Sequence, residues 1–301
     1  MTLPAAPRRP VALALMVCAP LLWSIAGVLT RVIERAGAFE IAFWRSSFAA
    51  LFVAAALAAL HGAGAWRALR AASSAVGLVS GLMWAVMFTA FIVALTLTTT
   101  ANVLVTNSIG AFLTALLAWL VLREPVPART WAAIALATAG MALMFGGGLQ
   151  AGDGRHLTGM LIALAIPVAG AINVVVLRHS AARIDLMPAV LLGALISAAV
   201  TLPWALPFAA TPRDLAILAG LGVFQLGLPC MLMVLASRTL RAPEMALLGL
   251  LEVVLGPLWA WLGVDEVPAG ATLAGGAIIL GAVTGNQLWN WSRGPGTRGP
   301  A

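Results

Sequence analysis

Ten times in 301 residues the chain runs for close to twenty residues with almost no charge, and that spacing constrains the fold more than anything else in it. Twenty residues rising ~1.5 Å each cross a hydrocarbon core ~30 Å thick. The other spanning architecture, a closed barrel, needs ~10-residue segments that alternate apolar and polar side chains, and no such alternation occurs. Only 9% of the residues are charged and 62% are hydrophobic, which excludes an ordinary soluble domain. The expected fold is all-α, a polytopic membrane bundle of ten transmembrane helices. Their expected limits are Val11–Thr30, Ala38–Leu60, Ser73–Leu95, Leu97–Leu122, Thr130–Phe145, Leu157–Leu177, Met187–Phe208, Leu215–Ala236, Ala242–Leu262 and Ala269–Leu288. The third-to-fourth turn, Leu95–Thr100, is marked only by its threonines.

The net charge of +7 comes from 17 arginines and no lysine, placed in ones and twos between apolar runs. That is loop charge rather than a nucleic-acid-binding patch. Arg8, Arg9, Arg67, Arg70, Arg123, Arg129, Arg178, Arg183, Arg238, Arg241, Arg293 and Arg298 fall on one side; Arg31, Arg35, Arg155 and Arg213 fall on the other. The bias over short loops puts both termini in the cytoplasm of a cell bounded by a bacterial inner membrane. Trp66, Trp131, Trp289 and Trp291 match an inner aromatic belt, and Trp204, Trp259 and Trp261 an outer one. Arg8 and Arg9 before an apolar run resemble a signal peptide, but the run is too long, so it reads as a retained first helix. Cys18 and Cys230 lie in apolar spans without a Cys-x-x-Cys or a nearby His, and read as small buried side chains.

Sliding the chain on itself by 142 residues pairs Leu113 with Leu255, Leu116 with Leu258, Ala118–Trp119–Leu120 with Ala260–Trp261–Leu262, and Glu124 with Glu266. A shift of 143 pairs Ala26–Gly27 with Ala169–Gly170 and Arg35 with Arg178. The chain therefore divides into one five-helix repeat over residues 1–150, a second over 151–292, and a disordered cytoplasmic tail over 293–301. Five is odd, so the second repeat enters the membrane from the opposite face and the pair is inverted. Inverted repeats place a binding site at their interface near the midplane. Ser73, Gly77 and Gly81 on the third span, and Ala277, Gly281 and Gly285 on the tenth, recur every four positions and suggest seams of close packing.

The motifs of the two copies are Leu113–Thr–Ala–Leu–Leu–Ala–Trp119–Leu–Val–Leu–Arg–Glu124–Pro, with Trp131 and Ala137–Thr–Ala–Gly140 after it, and Leu251–Glu252–Val–Val–Leu–Gly256–Pro257–Leu–Trp–Ala–Trp261. This pattern resembles the drug/metabolite transporter superfamily, specifically its EamA-like members with two five-helix repeats. The resemblance implies a secondary carrier whose fourth and ninth helices line a central cavity, with Glu252 and Pro257 at motif positions. The first copy departs from the second, with Gly110 where the second has Glu252 and Ala115 where it has Pro257. Any coupling role then falls on the second copy alone.

Glu252 is the strongest candidate, because a carboxylate at mid-bilayer costs roughly 2.5–3.5 kcal/mol and persists only against water, protein or a partner. A proton carrier, a counter-ion for a cationic substrate group, and a structural acid tied to Arg45 or to backbone are its three readings. Arg45, seven residues into the second span, is either a snorkelling or structural cation or a binder of substrate carboxylates. If both charges face one cavity, a zwitterion such as an amino acid suits them. Asn102, Thr106 and Asn107 on the fourth span and Gln225 on the eighth offer uncharged hydrogen bonds, to a solute or between helices. Trp23 and Trp84, far from either belt, suit a cavity wall or core packing. Pro20, Pro167, Pro229 and Pro257 free backbone carbonyls and are candidate conformational hinges.

No phosphate loop, metal-ligand cluster or nucleophile with base and acid is present, and His61, His156 and His179 fall in or beside loops. The expectation is therefore no enzyme, no cofactor, no metal and no nucleic-acid partner. The expected partners are a small-molecule substrate, the lipid bilayer and protons, in a monomer or homodimer. Three readings compete: an exporter of amino acids or related metabolites, a cationic drug exporter of the same fold, and a passive channel or membrane scaffold.

Overall fold

The structure, a computed structural model, describes residues 6–146, 154–264 and 269–292, all helix and connecting turn with no strand among them. The tail 293–301 and Glu266 lie outside this set. Among the described residues, ten helices are long and apolar enough to cross a membrane, from Arg9–Thr30 to Gly270–Trp289. The first span is built from α1 (Arg9–Trp23) and α2 (Ala26–Arg31), the second from α3 (Ala38–His61), and a short α4 (Ala65–Ala72) links it to α5 (Ala75–Leu97). Next come α6 (Thr100–Val121) and α7 (Ala128–Phe145), then α8 (Gly154–Ala163) with α9 (Ala165–Ser180), and α10 (Met187–Ala205). The eighth span joins α11 (Pro212–Gly220) through a π-helical turn, Leu221–Gly227, to α12 (Leu228–Ala236). The ninth is α13 (Ala242–Gly249) plus α14 (Leu251–Val264), and the tenth is α15 (Gly270–Ser292).

Local chemistry explains where the helices start and stop. The Ser74 hydroxyl accepts from the Gly77 amide at the start of α5, and Thr99 Oγ1 accepts from the Asn102 amide at the start of α6. This cap settles the third-to-fourth turn: Leu97 ends the third span instead of opening the fourth. Thr211 and Asp214 form a reciprocal capping box at α11, with Pro212 in its first turn. The seventh span stops at Ala205, three residues short of the expected Phe208, because Pro207 disfavours helical geometry at Leu206, whose ψ is 145°. The fourth span ends in a left-handed Arg123 (φ 52°), which turns the chain so that the Glu124 amide donates back to Ala118 O at 3.2 Å.

Polar ties sort the helix ends into two faces. On the near face, where α1 begins, Arg9 meets Glu244, Arg178 meets Glu124, and Asp185 meets His61 and Arg238; Arg129 also stacks over Trp289 at 5.9 Å. On the far face, Asp214 accepts from the Glu34 and Arg35 amides, and Glu40 from those of Ala209 and Ala210. Starts of odd spans and ends of even spans share the near face throughout, so successive spans run antiparallel.

Neighbours also come in matched pairs. The third span packs on the seventh as the eighth packs on the second, and the fourth packs on the sixth as the ninth packs on the first. The second and seventh, fifth and tenth, and fourth and ninth spans meet their own counterparts. Close approach needs glycine at two of these contacts. A Cβ on Gly193 of α10 would collide with Trp84 Cβ and lie 2.9 Å from Gly81 O, while one on Gly140 of α7 would lie 2.9 Å from Gly275 O. On the third span the expected seam is partly realised, with Gly77 and Gly81 buried. On the tenth it is corrected: Ala277, Gly281 and Gly285 are exposed, with open space beside Gly281 and Gly285, and the buried face carries Gly275, Ile279 and Ala282. Four-residue spacing marks a stripe of small residues without saying which side of the helix the neighbour occupies.

Candidate functional site

Where the first, fourth, sixth and ninth spans converge, a cavity of about 210 Å³ opens between the two halves. Trp23, Arg45, Trp84, Asn107, Gln225 and Glu252 line it, together with Pro167. The other two candidates lie elsewhere. The fourth span reaches the cavity only from Asn107 to Thr114, and Asn102, one turn into the helix, spends its amide group on Thr98 Oγ1 at 2.7 Å. Thr106 is buried but outside the lining.

Arg45 is only 3% exposed, and among the described residues no carboxylate pairs with it. Its Nη2 donates to Phe88 O at 3.0 Å, its Nη1 reaches Gln225 Oε1 at 3.4 Å, and its Nε has no partner. Gln225 is delivered by the π-helical turn, a local form common at functional sites. Two glycines bring that turn onto α3. A Cβ at Gly222 would lie 2.7 Å from Arg45 O, and one at Gly227 would lie 2.8 Å from Phe52 Cδ1.

Glu252 lines the same cavity from the first turn of α14. The ninth span breaks just before it, at Leu250, where the Leu250 amide bonds Leu247 O and the Val253 amide bonds Leu250 O, each three residues back instead of four. The break therefore opens a new helix N-terminus within the membrane, whose positive end favours a carboxylate. Among the described residues Glu252 has no hydrogen bond or ion pair, so the reading of it as an acid tied to Arg45 or to backbone does not hold. Cys230, expected as a mere packing residue, lines the cavity.

Helix breaks and prolines coincide in part. Pro20 lies one turn before the Ser24–Ile25 break, and the Ser24 amide bonds Pro20 O at 3.0 Å. Pro167 lies three residues after the break at Leu164, and Pro229 follows the π-helical turn. Pro257 does not mark a break: α14 runs through it, and the discontinuity lies seven residues earlier, after Gly249. Trp259 Nε1 donates to Ser24 Oγ at 2.8 Å, joining the broken regions of the first and ninth spans.

Sequence reasoning missed much of the wall. Met16, Met87, Phe91, Met141, Met233 and Met245 line the cavity from runs in which lipid-facing and cavity-facing apolar residues look alike. It also missed the near-face ties of Glu124 and Asp185, since their partners lie 54, 53 and 124 positions away.

The cavity is closed toward the near face. There α13 packs against α6 and α9, whereas α14 packs against α1, α2 and α15, so the fourth and ninth spans part toward the far face. Glu124 accepts from Arg178 Nε at 2.9 Å and from the Ala242 amide at 3.4 Å, joining the fourth, sixth and ninth spans; Arg9 and Glu244, 2.6 Å apart, join the first and ninth.

No curated protein matches this chain. A solved structure described only as "Crystal structure of protein" superposes with a TM-score of 0.79 over 95% of this chain and all of its own, at 19% identity, which shows a shared fold. The EamA-like transporter family matches residues 10–146 and 157–286, one match to each half. This multi-pass membrane protein, with its two-repeat architecture and central cavity, belongs to the EamA-like transporter family, within the drug/metabolite transporter superfamily.

Proposed function

We propose that the protein is a secondary carrier that exports small amphipathic solutes, amino acids or related metabolites, across a bacterial inner membrane by alternating access. The observation that carries this reading is a cavity between the repeats, closed toward the near face, lined both by a carboxylate with no partner among the described residues and by a buried guanidinium. Antiparallel spans and matched neighbour pairs support inverted repeats, which give a carrier two equivalent end states related by exchanging the roles of its halves. The arginine bias marks the near face as cytoplasmic, so the conformation described is outward-open. Glu252, facing the cavity without a partner among the described residues, is the group to exchange a proton or a cationic solute group between the two sides.

A drug exporter is the weaker reading. At about 210 Å³ the cavity lies below the ~300–1,000 Å³ usual for drug-sized ligands. The test is counterflow into proteoliposomes preloaded with mixed amino acids. Carrier function predicts saturable uptake that is accelerated by internal solute, at rates dependent on Glu252; flux that rises linearly with concentration and ignores internal solute indicates a channel, and no flux indicates a scaffold.

A further inference from the structure

We propose that the protein binds an anionic phospholipid of the near-face leaflet in the groove where the fourth span ends and the fifth begins, with the lipid phosphate at Arg123 and one acyl chain along the outer face of α6.

The groove holds about 350 Å³ and is lined by Leu116, Trp119, Pro125, Val126 and Trp131, none of which borders the central cavity. That volume falls in the ~300–1,000 Å³ range of small-ligand sites, and the lining side chains are apolar except for two indole N–H groups, which suit the ester level of a lipid. Trp131 packs on Phe112 with ring centroids 5.4 Å apart, which holds one wall in place. Deeper in the membrane, Ile109, Phe112 and Leu116 continue on the same face of α6 as Trp119, and Ile109, Phe112 and Trp119 are exposed. The ten steps from Ile109 to Trp119 rise ~15 Å, half of a hydrocarbon core ~30 Å thick, so the track is as long as one leaflet is deep. An acyl chain matches that length, and a soluble anion makes no use of it.

Positive charge stands beside the groove. Arg123, two residues before Pro125, is exposed and has no ion pair among the described residues. Its acidic neighbour Glu124 is turned to Arg178 and the Ala242 amide, and the next cation along the chain, Arg129, stacks over Trp289. Arg123 also holds a left-handed backbone (φ 52°), which glycine or asparagine adopts at lower cost. Topology asks only for positive charge somewhere in this loop, so an arginine at its strained position points to a use for that side chain. The second copy supplies a comparison. The 142-residue shift keeps Leu116 as Leu258 and Trp119 as Trp261, but turns Arg123 into Asp265, Arg129 into Ala271 and Trp131 into Leu273. The ninth span ends at the far face, and its sequence carries neither the cation nor the second indole. Charge also chooses between occupants: a second copy docking here about a two-fold axis would bring two Arg123 side chains toward each other, whereas a lipid phosphate neutralises one.

The experiment uses purified protein in a neutral detergent, titrated with phosphatidylglycerol, phosphatidylcholine of the same acyl chains, glycerol 3-phosphate and inorganic phosphate. Lipid retention is counted by native mass spectrometry, and stabilisation is read as the shift in melting temperature. Wild type is expected to retain one phosphatidylglycerol, preferred about fivefold over phosphatidylcholine, while the two soluble phosphates leave the melting temperature unchanged. Arg123→Gly suits the left-handed backbone, so it keeps or raises the lipid-free melting temperature while the preference falls to near unity. Trp119→Ala weakens both lipids alike, and Trp261→Ala, at the matching position of the second copy, weakens neither. Equal retention of the two lipids by wild type, or an unchanged preference in Arg123→Gly, overturns the proposal. Stabilisation by a soluble phosphate equal to that by the lipid marks a free-anion site and overturns it too. A protein dimer that forms in place of the lipid adduct, and is lost in Trp119→Ala, assigns the groove to a second copy and overturns it likewise.

Discussion

Removing the Glu124 carboxylate should shift the balance between the two end states toward the one open to the near face. In the conformation described, Glu124 draws together the Arg178 guanidinium at the end of the sixth span and the Ala242 amide at the start of the ninth. These contacts must part for the near face to open. A hydrogen bond to a charged group contributes about 1.5–3 kcal/mol when sheltered, and exposure reduces it. With side-chain exposures of 28% for Arg178 and 16% for Glu124, roughly 1–2 kcal/mol is reasonable. That converts to about 5- to 30-fold in the ratio of near-open to far-open molecules. A cysteine at Ala246, which lines the cavity on α13, reports access when Cys18 and Cys230 are replaced by serine. Impermeant maleimide applied to right-side-out and inside-out vesicles then measures both labelling rates. Glu124→Ala should raise the ratio of near-face to far-face labelling by that factor, and the exchanged pair Glu124→Arg with Arg178→Glu should restore part of it. An unchanged ratio, with protein still folded and labelled, refutes the view that this contact holds the near face shut.

Three further outcomes follow from other contacts. Arg9→Ala should move the same labelling ratio less, about fivefold at most, because Arg9 is 45% exposed and its pair with Glu244 is correspondingly screened. Asp185→Asn should lower the melting temperature in detergent, at a cost of roughly 1.5–3 kcal/mol, because it removes the charge from the acceptor that Arg238, 4% exposed, shares with His61; a shift within error would show that the triad adds nothing to stability. Gly222→Ala would set a Cβ 2.6 Å from Phe48 Cβ and 2.7 Å from Arg45 O, costing about 1–3 kcal/mol of stability and loosening the Gln225 contact with Arg45; solute counterflow should slow, and to a similar degree in Gln225→Ala, and rates equal to wild type would refute the link between this packing and the site.

What was legible in the sequence was the part written in local patterns. Apolar runs of membrane length report directly on burial in lipid, so the spans could be placed within a few residues, and the errors fell where a cap or a proline overrode hydropathy, at Thr99 and Pro207. The repeat was legible because Ala118–Trp119–Leu120 recurs as Ala260–Trp261–Leu262 at one fixed offset. Charge in an apolar run is conspicuous, which is why Arg45 and Glu252 stood out. Direction was not legible. Lipid and protein interior are similarly apolar, so nothing local separates Met87, which lines the cavity, from Leu82, which faces outward, or the buried Gly275 from the exposed Gly281. The helix break at Leu250 was hidden for a related reason: Pro257 is the conspicuous helix-breaker nearby, yet α14 accommodates it, and the tightened turn follows an ordinary Gly249.

The two repeats share a scaffold and divide the chemistry unequally, and the packing shows how. Gly110 of α6 occupies the position that Glu252 holds in the second copy, and a Cβ there would lie 3.3 Å from Pro167 Cβ. That position in the first copy is therefore filled by a close helix contact with the sixth span. In the second copy the chain breaks at Leu250 instead, and the equivalent position carries a carboxylate at a fresh helix N-terminus. A symmetric pair of acids would have set two like charges in one cavity of about 210 Å³, each opposing ionisation of the other. With a single acid and a single cation among the described lining residues, and a fourth span that runs unbroken from Thr100 to Val121, the two halves contribute unlike chemistry to one cavity. On the carrier reading proposed above, duplication supplies equivalent ways of opening, and the loss of symmetry at these positions supplies a single site that serves both.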